Sequence, residues 1–362
     1  MLYIPPMAVR MKDIARDLGL SVVTVSKVLR DHPDIAEETK ERVMKRVREL
    51  DYQPNVLARS LVTGRSYLIG LIVPDLLHPF FAEIAKALSS AVRAQGYSII
   101  LSSSEEDPSL EAREIQQLLA RRLDALVIAS AAENATSFER LERAEQPYLL
   151  IDREFPELAA NFVGIDDIAA GRLATEHLIQ QGCRNIAHIC GGNHSTGVRR
   201  YEGYRQALRA ARLPFSESLV TGHIHVDTES IRHGAEAARY LLAQRTRPDG
   251  IFCFNDPLAI GAMNAILDAG LRIPEDIALI GCGNLHYDAS LRVPLSSIDQ
   301  RSTMIGERAA AILLNMFSSK KRPQPVSVIL NPELVVRASS LRKPARQSGT
   351  RASAPCKSSR RH

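Results

Sequence analysis

The segment from Val22 to Lys27 brings apolar, hydroxyl and cationic side chains together within two turns of a candidate helix. A valine can contact the methyl group of thymine, and a lysine can reach guanine or a phosphate group. Hydroxyl groups can hydrogen-bond phosphate oxygens. These residue types predict a surface that contacts DNA, with five candidate residues: Val22, Val23, Thr24, Ser26 and Lys27.

A helix-turn-helix is the element that would position these side chains. Gly19 supplies a tight turn between two helices, and Ser21 is a suitable N-cap for the second helix. The apolar residues on either side have the spacing of two inner helical faces. They are Ile14, Ala15, Leu18, Val25, Val28 and Leu29. We expect the second helix to enter the major groove with its amino-terminal residues at the base edges. The alternative is a three-helix protein-interaction domain with solvated Lys and Thr side chains.

A third helix is predicted over residues 38–50, where Val43, Val47 and Leu50 form an apolar stripe. Pro54 stops the helical pattern. Residues 9–53 are therefore predicted to form one small DNA-binding domain, the headpiece, and residues 54–66 a linker to the rest of the chain.

Charge is unevenly distributed along the 362 residues. Residues 1–66 carry 12 Lys/Arg and nine Asp/Glu, and residues 341–362 carry seven Lys/Arg and no acid. The residues between them carry five more acids than bases. Only the two ends are therefore expected to face a polyanion. The tail 341–362 lacks apolar periodicity and is predicted to be disordered.

The cysteines indicate a reducing compartment. Their number is five, and no two of them form a C-x-x-C pair, which favours buried thiols over a disulfide framework or a zinc site. No secretory leader and no membrane-spanning apolar run is recognised. A cytoplasmic protein without metal or membrane partners is expected.

The region from residue 67 to 340 alternates short β-branched runs with amphipathic helices. Such alternation predicts βαβ units and parallel sheets covered by helices on both faces. About ten strands exceed one open sheet, so an α/β body of two lobes with a ligand cleft between them is expected. The candidate strands are Leu68–Val73, Ser98–Leu101, Ala125–Ala129, Tyr148–Asp152, Asn185–Cys190, Gly250–Phe254 and Ile277–Gly281.

Two other function classes are disfavoured. The glycine-rich run 191–197 lacks the Gly-Lys-Ser/Thr ending of a phosphate loop, and neither a Gly-x-Ser-x-Gly elbow nor metal-ligand spacing is present. An enzyme is therefore not expected. A secreted solute-binding protein would explain the body alone, but it explains neither the missing signal sequence nor the helix-turn-helix.

The ordered motifs resemble those of the LacI/GalR family of bacterial transcriptional regulators over roughly residues 9–340. In the headpiece they are Lys12-Asp13-Ile14-Ala15, Val25-Ser26, Tyr52-Gln53-Pro54-Asn55 and Ala58-Arg59-Ser60-Leu61. In the body they include Ile69–Pro74, Pro79-Phe80-Phe81, Leu150-Ile151-Asp152-Arg153, Arg200 with Gly203-Tyr204, Asn255-Asp256 and Pro294-Leu295. The resemblance implies a headpiece joined to a body like that of periplasmic sugar-binding proteins.

The resemblance also implies a hinge helix within residues 54–66 that forms on DNA. Leu61 matches the leucine that enters the minor groove, where an apolar wedge unstacks a base step and bends the duplex. Asn55 would cap the helix, and Ala58 belongs to the same DNA-contacting segment. A linker leucine packed on the body is the alternative reading of Leu61.

In the body the resemblance implies an effector site between the lobes. Arg200 would donate paired hydrogen bonds, Asn255 would donate and accept, and Asp152 would accept hydroxyl protons. Phe80 and Phe81 would flank the ligand, although one of them could be core. Asp152 and Arg153 could instead form a structural ion pair, and Asp256 could cap the helix that starts near Pro257. Lobe 1 is predicted to comprise about 67–166 and 298–325, and lobe 2 about 167–297 and 326–340.

One stretch departs from the family pattern. Where the family commonly has Gly, an aromatic residue and then Asp-Asp or Asp-Asn, this chain reads Gly281-Cys282-Gly283-Asn284. The carboxylate that often holds a sugar hydroxyl is replaced by Gly283, which places an ordinary hexose in doubt. Asn284 or His286 could compensate, and His194 lies in a loop where a histidine could favour an acidic or phosphorylated ligand.

The function that the resemblance implies is repression of carbohydrate-related genes. A homodimer, or a tetramer, would bind a near-palindromic operator. A small effector such as a sugar or sugar derivative would change the affinity for this operator by closing the lobes. No cofactor is implied. The effector, the operator and whether the ligand induces or corepresses are left open by the sequence.

Overall fold

The computed structural model describes residues 9–29, 32–52, 60, 63–222, 228–319, 321 and 323–342. The chain divides into two units, Met1–Tyr67 and Leu68–His362. The first contains the headpiece, and the second is the body. No helix among the described residues is long and apolar enough to cross a membrane.

Three helices form the headpiece, and the sequence patterns predicted all three: α1 (Met11–Leu18), α2 (Val22–Leu29) and α3 (Glu37–Glu49). Gly19 adopts a left-handed backbone with φ of 66°, as the turn requires. The Oγ atom of Ser21 accepts a hydrogen bond from the Thr24 amide at 3.0 Å, so Ser21 caps α2. The side chains that close the small core are Ile14, Ala15, Val25, Val28, Val43 and Tyr52.

Lobe 1 of the body is a six-stranded sheet with helices on its faces. All its neighbouring strands are parallel, in the order β11-β5-β4-β3-β1-β2. Its strands are β1 (Leu68–Val73), β2 (Ser98–Ser103), β3 (Ala125–Ile128), β4 (Tyr148–Ile151), β5 (Asn161–Ile165) and β11 (Ser327–Leu330). Its α-helices are α4 (Pro79–Arg93), α5 (Pro108–Ala120), α6 (Glu139–Arg143) and α11 (Ser302–Ser318).

Lobe 2 repeats this plan. Its order is β12-β10-β9-β8-β6-β7, and only the edge strand β12 runs antiparallel to its neighbour. Its strands are β6 (Ile186–Cys190), β7 (Val220–Gly222), β8 (Gly250–Cys253), β9 (Ala278–Cys282), β10 (Ser296–Asp299) and β12 (Glu333–Val335). Its α-helices are α7 (Asp167–Gln180), α8 (Ser195–Ala210), α9 (Ser230–Leu242) and α10 (Asp256–Asp268).

The strand order determines where a ligand can bind. In each lobe the chain starts at an inner strand, moves outward to an edge strand and then reverses past its starting point. Loops that leave the carboxyl ends of the strands on either side of such a reversal splay apart and leave a crevice. The reversals lie between β1 and β3 in lobe 1 and between β6 and β8 in lobe 2.

The predicted α/β architecture is confirmed, and two lobe boundaries are corrected. The sequence analysis placed the crossing from the second sheet to the first between residues 297 and 298, but β10 continues to Asp299 in the second sheet, and the chain returns only after β11. Residues 327–330 pair with β5, whereas the sequence analysis assigned residues from 326 onward to lobe 2. The residues of the run Val326–Leu330 do not by themselves indicate which lobe the run joins, because its sheet partner lies more than 160 residues earlier in the chain.

Glycines permit two close helix crossings in lobe 2. A Cβ atom on Gly203 of α8 would lie 2.1 Å from the Ile168 carbonyl oxygen of α7, and one on Gly171 would lie 2.0 Å from that of Arg200. Helices α9 and α10 meet in the same manner through Gly234 and Gly261. Since the obstructing atoms are backbone, no side-chain movement can relieve the overlap.

We therefore expect Gly203→Ala to lower the free energy of unfolding by about 1–3 kcal/mol, the usual cost of overpacking. In an exposed helix the same substitution stabilises the protein by roughly 1 kcal/mol. The sign of the change in unfolding free energy therefore shows whether the close crossing requires glycine at this position. Urea midpoints of the full chain measure it. Arg209→Ala, on the exposed side of α8, is the control and should stay within about 0.5 kcal/mol of the parent. A Gly203→Ala chain as stable as its parent would contradict this account of the crossing.

Candidate functional site

The headpiece presents the predicted DNA-contacting residues at the start of α2. Val22 and Val23 are 46% and 64% exposed, which is unusual for β-branched apolar side chains on a helix. The Thr24 hydroxyl hydrogen-bonds that of Ser21 at 2.9 Å, and Ser26 is half-buried. Asn55, Ala58 and Leu61 lie outside the described residues, so the hinge helix remains a prediction.

Lys27 follows one turn later on α2 and has an acidic neighbour. Its Nζ atom lies 3.7 Å from the Asp34 carboxylate, which also lies 3.3 Å from Nδ1 of His32. Both Lys27 and Asp34 are substantially exposed, so this ion pair contributes little to stability. The lysine is therefore available to a phosphate or a guanine that approaches α2.

The body brings the carboxyl-end loops of its two sheets together across a cleft. The loop after β1 meets the loop after β8 through a 3.4 Å contact between His78 Nε2 and Asn255 Nδ2. The loop after β4 meets the start of α8, where the Glu154 amide donates to Ser195 Oγ at 3.0 Å. A cleft therefore lies where the strand order places it.

Phe80 and Phe81 form an aromatic cluster with His78 at the lobe 1 side of the cleft. Both phenylalanines are buried, and their rings pack edge to face with centroids 5.1 Å apart. The ring of His78 lies 5.6 Å from that of Phe81. Packing of this kind fixes the amino-terminal end of α4 and leaves little ring surface for a ligand.

Arg200 is a buried cation that joins three elements of lobe 2. Its Nε atom donates to Asp167 at 2.8 Å, and one terminal nitrogen donates to the Phe254 carbonyl oxygen at 2.8 Å. The guanidinium carbon lies 4.5 Å above the centre of the Phe254 ring. Burial raises the pKa of Asp167 to about 7, although the guanidinium opposes that rise. The structure shows a structural role for Arg200, and its predicted contact with the effector stays a prediction.

Asp152 and Arg153 follow β4 at the cleft. Asp152 has a left-handed backbone with φ of 63°, and its carboxylate lies 3.9 Å from Nε of Arg153. The guanidinium of Arg153 donates to the Ser130 carbonyl oxygen at 2.9 Å and to Glu106 at 3.4 Å. The ion pair considered as an alternative for these two residues is present, as one part of a larger buried network.

Asn255 begins α10, and the sequence analysis misplaced its cap. The Oδ1 atom of Asn255 accepts a hydrogen bond from the Leu258 amide at 2.9 Å, so Asn255 caps the helix. Asp256, the cap considered from the sequence, is instead fully buried and accepts from Ser297 Oγ at 2.7 Å. The proline pattern located the helix start correctly but did not distinguish two neighbouring capping residues.

The amide of Asn284, a predicted effector contact, has two side-chain partners in lobe 2. Its Nδ2 atom donates to Asp299 at 3.2 Å, and its Oδ1 atom accepts from Arg337 at 2.6 Å. Both ends of the amide are thus used within lobe 2. Asn284 thus connects Asp299, at the end of β10, with Arg337, two residues beyond β12.

The position of Asp256 explains why this chain has glycine at 283, where its sequence departs from the family pattern. A Cβ atom on Gly283 would lie 2.7 Å from Asp256 Oδ2, and one on Gly281 would lie 2.1 Å from Oδ1. Gly283 also has φ of 145°, which L-amino acids with side chains rarely adopt. A side chain at 283 would therefore collide with the buried carboxylate.

Asp256 faces a second buried acid, Asp288, which the sequence analysis missed. Asp288 has no exposed surface, and none of the other described residues donates a hydrogen bond to its oxygens. Burial, together with the neighbouring carboxylate, raises the pKa of Asp288 to about 9. Burial also raises the pKa of Asp256. Burial and mutual repulsion thus favour retention of a proton by the pair at neutral pH.

Thr196, in the first turn of α8, is a further residue that the sequence did not single out. It is 1% exposed, and its hydroxyl has no hydrogen-bond partner among the described residues. A buried hydroxyl in this state usually has a water or ligand partner. Nearby, a cavity of about 310 Å³ is lined by His194, Glu106, Glu133 and uncharged residues, and its lining includes no lysine or arginine.

The comparisons with known proteins agree with both parts of this geometry. Residues 10–55 match the family model "Bacterial regulatory proteins, lacI family". Residues 66–335 match "Periplasmic binding proteins and sugar binding domain of LacI family".

This chain belongs to the LacI family.

Individual LacI-family proteins are similar over nearly the whole chain. The HTH-type transcriptional regulator DegA of Bacillus subtilis (strain 168) is 34% identical over 334 residues, which cover 91% of this chain and 97% of DegA. The transcriptional regulator CelR, solved with cellobiose, is 27% identical at a TM-score of 0.69 and covers 91% of this chain and 99% of its own. The lac repressor dimer bound to operator and the anti-inducer ONPF is 25% identical at a TM-score of 0.79. The match covers 92% of this chain and 100% of the lac repressor chain.

Family membership confirms the predicted class of function, a DNA-binding transcriptional regulator with a periplasmic-binding-protein-like body. The described residues contain no group of three or more His, Cys, Asp or Glu side chains arranged to hold a metal ion. The four described cysteines, Cys183, Cys190, Cys253 and Cys282, are free thiols. Of the two missed residues, Thr196 lies in the glycine-rich run 191–197, whereas Asp288 lies in no motif that the sequence analysis singled out.

The acid pair makes stability depend on pH. Between the ordinary value of 3.8 and the folded value of about 9, the folded chain keeps the Asp288 proton that the unfolded chain releases. Stability should therefore fall as pH rises through this window. We expect Asp288→Asn to flatten that dependence and to raise stability at pH 8 by about 1–3 kcal/mol, since an amide can donate to Asp256 without holding a titratable proton.

Urea midpoints between pH 5 and pH 9 measure this effect. Asp268→Asn removes an exposed acid from the other end of α10 and should leave the slope of the parent unchanged. An Asp288→Asn chain that keeps the parental slope would show that the pair holds no extra proton.

Proposed function

We propose that this chain is a repressor that binds a near-palindromic operator as a dimer. Its affinity for the operator falls or rises when a small effector closes the two lobes of the body. The observation that carries the proposal is the exposed face of α2, where Val22, Val23 and Lys27 project from a headpiece of the LacI family. The lac repressor, to which the chain is similar over 92% of its length, binds operator as a dimer. Such a repressor acts in the cytoplasm, where its operator lies.

A second copy of this chain would cover an apolar surface of lobe 1. A groove of about 340 Å³ lies between α4 and β2, and Leu76, Phe81, Ile99 and Leu101 are among its lining residues. Next to it, Leu77 is 88% exposed, and Leu76 and Leu101 are about half exposed. Exposed apolar clusters of this kind are typical of protein interfaces. We propose that this groove contributes to the dimer.

The effector that the cleft fits best is an uncharged compound with several hydroxyl groups. Asp152, Asn255 and Thr196 place polar groups at the cleft, whereas the two buried cations among its described residues already have carboxylate partners. Arg200 is paired with Asp167, and Arg153 with Glu106. These two described guanidinium groups therefore leave no surplus positive charge for a phosphate or an acid, which argues against the acidic ligand considered from His194. CelR binds cellobiose, a compound of the proposed kind. We propose that the effector is bound and not converted.

The test of the DNA-binding proposal begins with selection of operator sequences from random duplexes by the full chain. Lys27→Ala should weaken binding to the selected operator by about tenfold to a hundredfold, the usual effect of losing one base contact, and relax the preference at one position in each half-site. Sedimentation should show two chains on each operator. Arg239→Ala removes the same charge from the body and should leave the preference unchanged.

If Lys27→Ala only lowered the salt dependence of binding and left the sequence preference intact, Lys27 would be a phosphate contact and not a base contact. Leu61→Ala tests the hinge separately. It should weaken operator binding while leaving sedimentation of the free protein unchanged, and unaltered operator affinity would contradict a minor-groove wedge.

The test of the effector proposal is thermal stabilisation of the full chain by cellobiose, ribose, sugar acids, sugar phosphates and nucleobases. At 100 times the dissociation constant a ligand stabilises the folded state by about 2.7 kcal/mol, which gives a clear rise in Tm. Asp152→Asn should abolish the shift, and the exposed Asp268→Asn should retain it. A shift produced only by sugar phosphates or acids would contradict an uncharged effector.

A further inference from the structure

Several polar contacts cross the cleft from one lobe to the other. Besides the contact between His78 and Asn255 and the one between Glu154 and Ser195, Glu154 forms an ion pair with Arg199 of lobe 2. These contacts lie near the inner strands of each sheet. Another contact lies farther out, where the loops after the edge strands β2 and β7 face each other.

Glu106 makes that outer contact. Its Oε2 atom accepts hydrogen bonds from the Thr228 amide at 3.3 Å and from the Thr228 hydroxyl at 3.2 Å. Thr228 belongs to lobe 2, just before α9, whereas Glu106 belongs to lobe 1. The other carboxylate oxygen, Oε1, accepts from Arg153 of its own lobe at 3.4 Å. One carboxylate thus connects the buried network of lobe 1 with two donors of lobe 2.

The surroundings of Glu106 favour this contact over a solvated one. The side chains of Glu106 and Arg153 are only 1% and 2% exposed, so their charges are satisfied within the protein. Hydrogen bonds to a charged acceptor away from water are stronger than those between neutral groups. Glu105 and Glu106 also both adopt left-handed backbones, with φ of 50° and 56°. Two consecutive residues other than glycine adopt that conformation only where the surrounding structure enforces it.

We propose that Glu106 is a latch that holds the cleft closed before any effector binds. Arg153 fixes the carboxylate on lobe 1, and the carboxylate captures Thr228 of lobe 2. An effector can enter only when this contact opens, so the strength of the latch sets the fraction of the protein that can accept ligand. Glu106 is in this sense a positioning residue, since it acts on the effector site by controlling its closure.

This consequence for effector binding rests on the proposed function, but closure itself can be measured without an effector. Hydrogen–deuterium exchange of the full, ligand-free chain reports two amides whose hydrogen bonds cross the cleft, those of Thr228 and Glu154. The Glu154 amide is bonded to Ser195, which does not contact Glu106, and it therefore reports opening of the lobes as a whole.

We expect Glu106→Gln to speed exchange at both amides by about tenfold, since loss of hydrogen bonds to a charged group changes an equilibrium by roughly this factor. Thr228→Val, which removes the hydroxyl donor but keeps the amide, should act in the same direction and does not disturb the Arg153 network. Thr228→Ser restores the hydroxyl and should return exchange at Glu154 to the parental rate. Glu105→Gln is the matched control, because Glu105 is the exposed neighbour with the same backbone conformation.

Faster exchange confined to Thr228, with Glu154 still protected, would overturn the latch by reducing the contact to a local hydrogen bond. Unchanged exchange at both amides in Thr228→Val would overturn it as well. If Glu106→Gln does not fold, Thr228→Val and its serine control decide the question. None of these outcomes affects the proposal that an effector binds in the cleft, which the thermal-shift measurements test independently.

Discussion

Burial of the Arg200 guanidinium is the constraint on which the effector side of lobe 2 depends. A buried cation is tolerated only when its donors find acceptors, and here these acceptors are the Asp167 carboxylate and the Phe254 carbonyl oxygen. Those groups lie at the start of α7 and at the end of β8. The cation therefore ties both elements to α8, and the glycines of the crossing between α7 and α8 allow the helices to come close enough for it.

The same logic applies in lobe 1, where Arg153 has Ser130 and Glu106 as acceptors. Each lobe thus carries one buried guanidinium beneath the cleft, and each guanidinium is neutralised by a carboxylate of its own lobe. Pairing within a lobe balances the charge of both guanidinium groups. It also lets the lobes separate without stranding an ion, because the contacts that cross the cleft are mostly hydrogen bonds. An inter-lobe ion pair is present at Glu154 and Arg199, where Arg199 is partly exposed.

The loop after β9 shows how one departure from a family pattern entails others. The Asp256 carboxylate occupies the space beside residues 281 and 283, so both positions require glycine. Asp288 then adds a second acid that cannot ionise freely beside the first. In place of a carboxylate directed toward a ligand, this chain has two buried acids with raised pKa values beneath the loop. The effector proposed above would therefore be recognised by groups on other loops, among them Asp152, Asn255 and Thr196.

Local patterns in the sequence determined the elements of this protein. The turn at Gly19 and the cap at Ser21 depend on neighbouring residues only, so they predicted the headpiece helices closely, and β-branched runs predicted seven of the body strands. Strands such as Val220–Gly222 and Glu333–Val335 are too short to show a period and were missed. Tertiary structure alone decided the partners of Asn284, the lobe to which Ser327–Leu330 belongs, the meeting of Asp256 with Asp288, and the contact of Glu106 with Thr228. In these cases the interacting groups are separated by at least 15 residues, and only the packed fold selects which distant partner satisfies a buried polar group.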